Sequence, residues 1–138
     1  MARVQAARRW RHASRRCLAT LSLSEATAEP LLLARRLGEP VHQTTLAQMA
    51  GLTGPSLSKL LDQLAHAGLI ERFGNADDRR INSVRMTPKG LVVSNDAESR
   101  LARLREEALA QISDRDLEAT ARVLHASCDG QRKQRQTG

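Results

Sequence analysis

A mainly α-helical (α+β) fold in a single domain, residues 1–138, is predicted for this chain by three observations. Aromatic residues are nearly absent: one Trp, one Phe and no Tyr in 138 residues, so a core must be built from Leu, Ala, Val, Ile and Met. Leu and Ala are strong helix formers, and aliphatic cores of this kind suit packed helices. Apolar residues also recur at three- and four-residue spacing along most of the chain, and between Leu69 and Met86 that spacing gives way to strand-like runs.

The elements follow in order. Residues 3–20 fit an amphipathic helix whose apolar stripe runs through Val4, Ala7, Trp10, Ser14, Cys17 and Leu21, with Arg residues filling the rest. A helix with a single apolar stripe needs a partner surface. Ser24-Glu25 opens a second helix, stopped at Gly38, and Leu31, Leu32 and Leu33 predict that it is largely buried. Pro30 falls inside this span and either kinks the helix or moves its start. Glu39-Pro40 marks a loop. A short helix over Gln43–Ala50 turns Leu46, Ala47 and Ala50 inward and breaks at Gly51. Thr53 caps the next helix, with Pro55 in its first turn, and Gly68 ends it after Ala67. Leu69–Phe73 and Ile81–Met86 read as strands joined by the polar stretch Gly74–Arg80. Thr87-Pro88 starts a long helix to about Ile112, with a seam through Leu101, Leu104, Ala108 and Ile112. Ser113-Asp114 opens the last helix, to about Ser127. The basic segment 128–138 is expected to be disordered.

Lys and Arg exceed Asp and Glu by seven charges. Such an excess favours a polyanionic partner, nucleic acid or an anionic membrane face. Most of the charge is Arg, which suits bidentate contacts to phosphates and bases, although codon bias yields the same skew. No apolar run approaches the roughly 18 residues that span a bilayer, so no membrane partner is expected. The first 24 residues hold six Arg and no acid, a composition like that of a transit peptide, but no continuous apolar stretch or small-residue cleavage site follows. They are read as part of the fold, and the protein as cytoplasmic. Cys17 and Cys128 are far apart and His12, His42, His66 and His125 are scattered, so neither a metal site nor a cofactor is expected. No nucleophile motif or glycine-rich phosphate loop is present, so no catalytic residues are assigned.

The run Thr44–Gly90 carries the functional reading. Ala47, Gly51 and Leu57 are spaced for a helix-turn-helix: a small residue at the crossing, a glycine for the left-handed turn, an apolar anchor in the second helix. On that second helix Leu57, Leu60, Leu61 and Leu64 form the inner stripe. Pro55, Ser58, Lys59, Asp62 and His66 lie roughly opposite, flanked by Ser56 and Gln63. Residues near the start of a recognition helix meet base edges, and Ser and Lys serve bases or phosphates. Thr53, Pro55, Ser56, Ser58, Lys59 and Gln63 are the expected contacts, the alternative being a plain solvated face. Asp78, Arg79 and Arg80 are expected at the furthest projection of the hairpin, where an Arg can enter a narrow minor groove and Asp78 can aim Arg80.

The segments LAQMAGLTGPSLSKLLDQLAHAGLIER, DDRR and VRMTPKG resemble the MarR family of winged-helix transcription regulators. The family's D-x-R wing element falls on Asp78-Arg79-Arg80, and its next strand and helix cap on Val84–Gly90. The resemblance implies a winged helix-turn-helix lobe over residues 43–87. It also implies a homodimer whose first and last helices interlock, through 1–22 and 88–127. Val4, Trp10, Cys17, Leu101, Leu104, Ile112, Leu117 and Leu124 are the expected dimer contacts. Double-stranded DNA with a palindromic operator is the implied partner, repression the implied role, and release by a small aromatic acid or phenol the family's habit. The chain departs from the family in its short first helix and its lack of Tyr. Its only aromatics, Trp10 and Phe73, equip a stacked phenolic pocket poorly, and no effector residues are assigned. Some relatives sense oxidants through an N-terminal Cys, but Cys17 lies on the apolar stripe and is expected to be a buried packing residue. A protein-interaction module on the same scaffold and a non-specific basic DNA binder are the rival readings.

Overall fold

The computed structural model describes the backbone of residues 2–38, 40–75 and 78–136, and the side chains of 5–38, 40–74 and 82–127. Among the described residues six helices and three strands follow in the order α1 (Ala2–Ala19), α2 (Glu25–Leu37), β1 (Val41–His42), α3 (Gln43–Ala50), α4 (Gly54–His66), β2 (Ile70–Asn75), β3 (Asp78–Met86), α5 (Pro88–Leu109) and α6 (Asp114–Gln136). The chain divides into two compact units, Met1–Leu104 and Arg105–Gly138.

The first unit is organised around α2. Ser24 caps it through a reciprocal box: its hydroxyl accepts from the Thr27 amide while the Thr27 hydroxyl accepts from the Ser24 amide. Pro30 neither ends the helix nor moves its start. Lacking an N–H, it leaves the Ala26 carbonyl without its usual partner, and Ala26 is on the exposed side, where water can supply one. Leu31, Ala34, Leu46, Leu57, Leu61, Leu64, Val84 and Ala97 close the core around it. Of the expected α4 stripe, Leu60 is only half-buried, and so is Ala50 of α3. α1 contributes mainly its C-terminal half. Residues 5–12 are exposed, and Leu18, which lies outside the expected stripe, takes the core position beside the half-buried Cys17. Cys17 is thus a half-buried free thiol rather than a buried one.

The sheet is antiparallel in the order β1-β3-β2. β1 was not foreseen. It is two residues long, pairs Val41 with Val84 and His42 with Ser83, and carries no periodicity of its own. β2 and β3 reach further into the hairpin than expected. Pairing continues through Gly74↔Asn82 to Asn75↔Asp78 with an irregularity between Gly74 and Asn75, so Asp78-Arg79-Arg80 belong to the strand rather than to the connection. In the second unit Ser113 caps α6, its hydroxyl accepting from the Asp116 amide at 3.2 Å. Ile112 lies in the turn before α6, because α5 ends at Leu109. α6 itself continues to Gln136. The segment expected to be disordered is therefore mostly helical backbone: it lacks proline and is rich in Gln, Arg and Lys, which tolerate helix well.

Candidate nucleic-acid interface

α4 is held along its length and at both ends, and its outer face is left open. At the start, the Thr53 hydroxyl accepts from the Ser56 amide at 3.3 Å, and Pro55 fills the first turn, where a missing donor costs little. Gly51 before it is left-handed, at φ 65°, as the turn between α3 and α4 requires. Along its inner side Leu57, Leu61 and Leu64 are all but inaccessible. At the C-terminal end the free carbonyls are taken up by Thr87, which caps α5, and by Lys89 in its first turn. Lys89 Nζ donates to the Ala67 carbonyl at 2.9 Å and the Thr87 hydroxyl to the Gly68 carbonyl at 2.6 Å.

The predicted contacts distribute unevenly over this helix. Thr53, Pro55, Ser56, Lys59 and Gln63 are exposed. Thr53 also donates to Ser56 Oγ at 2.9 Å. Gln63 lies beside the α1–α2 turn, where it lines a shallow pocket of about 210 Å³ with Ser22, Ser24 and Thr27. Ser58 is half-buried on the opposite flank. The backbone of Asp78, Arg79 and Arg80 opens β3, but their side chains lie outside the described residues, as does any pairing of Asp78 with Arg80.

Sequence reasoning missed Arg72. From β2 it donates to Gln43 Oε1 at 2.8 Å and to Ser58 Oγ at 3.1 Å, and pairs with Asp62. It joins the wing to α3 and α4, and no local pattern announces it. Next to it in sequence, Phe73 carries Arg85 over its ring at 5.1 Å. Of the expected dimer contacts, Leu101, Leu104 and Leu117 are half-buried, while Trp10, Ile112 and Leu124 are exposed. The side chain of Val4 lies outside the described residues.

A short helix, a left-handed turn, a second helix with a free polar face and a β-hairpin behind it define a winged helix-turn-helix protein. The MarR family model matches residues 30–81. Over 94% of this chain and 95% of the other, the transcriptional regulator PA3341 is 34% identical, with a TM-score of 0.80. A MarR-family regulator from Rhodococcus sp. RHA1 shares 23% identity over 89% of this chain and 86% of its own, with a TM-score of 0.77. A mutant of MarR from E. coli, solved in complex with operator DNA, shares 18% over 89% of this chain and 88% of its own, also at 0.77. The chain belongs to the MarR family of transcriptional regulators.

Proposed function

We propose that this protein is a homodimeric repressor that binds a palindromic double-stranded operator in a sequence-specific manner. The observation that carries the reading is α4: a helix fixed at both ends and along its inner side, with Pro55, Ser56, Lys59 and Gln63 left exposed. A helix so held presents its first turns to the major groove, and the β2–β3 hairpin follows the backbone towards the minor groove. The E. coli relative that shares this fold was solved on operator DNA, which supports the same use of the face here. Two copies related by a two-fold axis place two α4 helices roughly 34–36 Å apart, one turn of duplex. Control by a small molecule would work by population shift, the ligand favouring a dimer whose helix spacing misfits the operator.

Selection of binding sites from random duplex DNA tests this. The expected result is an enriched palindrome with half-sites one turn apart, bound at least ~10³-fold more tightly than unrelated duplex. Binding with a steep salt dependence and no preferred sequence would identify a non-specific phosphate binder instead. No binding to duplex at all would leave the protein-interaction module.

A further inference from the structure

Arg72 ties three side chains on two helices to the hairpin. Its guanidinium donates to Gln43 Oε1 at 2.8 Å, at the start of α3, and to Ser58 Oγ at 3.1 Å, and pairs with Asp62 one turn further along α4. Its side chain is 24% exposed and that of Asp62 is 68% exposed.

Two consequences follow from the chemistry of these groups. A hydroxyl that accepts from a guanidinium has its own proton left to donate. Among the described residues Ser58 is the donor in no hydrogen bond to protein, so its proton is left for a ligand. Ser56 is in the same condition, because its oxygen accepts from Thr53 Oγ1 at 2.9 Å. Lys59 between them carries only donors. The second consequence concerns Asp62, which shares the outer face. A bare carboxylate there would repel phosphates and accept from the cytosine amino group. Pairing one of its oxygens, Oδ1, with the Arg72 guanidinium offsets the charge and weakens both effects.

We infer that Arg72 is a positioning residue that engages the Ser58 hydroxyl as an acceptor and occupies one oxygen of Asp62, biasing the first turns of α4 towards base edges that offer acceptors and above all towards guanine, which presents both O6 and N7 in the major groove. This rests on the DNA-binding reading above, and it goes beyond it in assigning a base preference and the residue that sets it.

The test uses the full chain and the duplex that the wild type selects, single-base-pair variants of that duplex, and a scrambled duplex. Ser58→Ala, Arg72→Gln and their combination are titrated by fluorescence anisotropy at one salt concentration, with thermal unfolding of each variant alongside. Ser58→Ala is expected to lower the selected-to-scrambled affinity ratio about five-fold, the worth of one hydrogen bond, with the loss confined to guanine positions of the half-site. Arg72→Gln flattens the preference at those same positions, and the combination is no worse than Arg72→Gln alone, because both act through one hydroxyl. Adding Asp62→Asn to Arg72→Gln restores affinity for scrambled duplex but not the preference. Additive losses overturn the inference, and so does a loss spread evenly over every position, the signature of an arginine that merely supports the fold. A half-site with no guanine where Ser58→Ala acts overturns it as well. If Arg72→Gln unfolds early, Arg72→Lys, which keeps the charge but not the planar fork, is judged by the same criteria. A wild type that selects no site refutes the regulator reading itself, which is a separate failure.

Discussion

Gly90 is fixed by its neighbour rather than by its own backbone. It is buried in the first turn of α5, and a Cβ built on it would stand 1.9 Å from the carbonyl oxygen of Leu69. That oxygen accepts the Thr87 amide at 3.1 Å, while the Gly90 amide donates to the Thr87 hydroxyl at 2.9 Å. Neither side of the contact can yield without breaking the seam that holds the end of α4 to the start of α5. Gly90→Ala is therefore expected to destabilise the fold by about 3 kcal/mol or more, in the overpacking class of core changes. Gly54→Ala is the control: open space surrounds Gly54, and alanine favours helix, so stability should hold or rise slightly. Urea unfolding measures both, and equal midpoints for the two variants would refute the steric account. The capping residues Ser24, Thr53 and Thr87 were legible because each meets an amide only three residues away. Arg72 was not, because its partners lie 10, 14 and 29 positions off and only the folded sheet brings them together. Leu18 is hard to read from sequence for a related reason: periodicity alone sets the expected stripe on α1, while the neighbour that selects the buried face is α2.

At the scale of elements, the helices were readable and the sheet only partly so. A helix carries its stripe, its cap and its stop within one stretch of chain. The β1 strand instead borrows its identity from β3, more than forty residues away in the sequence, through Val41↔Val84 and His42↔Ser83. The expected projection at Asp78–Arg80 lies too late in the chain for a similar reason, since Asp78 already pairs with Asn75. Polar residues in Gly74–Arg80 read as a connection, yet cross-strand hydrogen bonds continue to Asn75↔Asp78 regardless of side-chain polarity. The wing is therefore an extended two-stranded ribbon, and Arg80 stands on its β3 side near the far end. In the proposed function Arg80 is the wing's contact with the minor groove, beside a helix seated in the major groove. Arg80→Ala should weaken operator binding by about ten-fold, with thermal unfolding and sedimentation unchanged, since one arginine at a groove carries roughly 1–3 kcal/mol. Unchanged affinity would remove the hairpin from the interface and leave α4 as the reader by itself.

At the scale of the molecule, large apolar side chains remain in water on the helices outside the winged lobe. Trp10 on α1 is 37% exposed, and Val123 and Leu124 on α6 are 65% and 61% exposed. Single exposed apolar residues are ordinary; in the proposed dimer the adjacent pair on α6 is the candidate contact. A second copy of the chain is the partner that the proposed function requires, since a palindrome is read by two α4 helices held in fixed register. A symmetric contact repeats every residue, so a change at one position is felt twice. Leu124→Glu places two like charges in or beside that contact and removes two apolar side chains from it. The expected outcome is a folded monomer: helix content by circular dichroism as in the wild type, and a sedimentation mass half as large. Its affinity for the full operator should fall by about 100-fold or more, because the second half-site no longer profits from the first. Its affinity for a single half-site should stay as it was, because α4 and the wing are untouched. A variant that sediments as the wild type does would show that α6 carries no part of the dimer contact. The assembly would then have to be sought on α1, where Trp10→Glu repeats the same measurement.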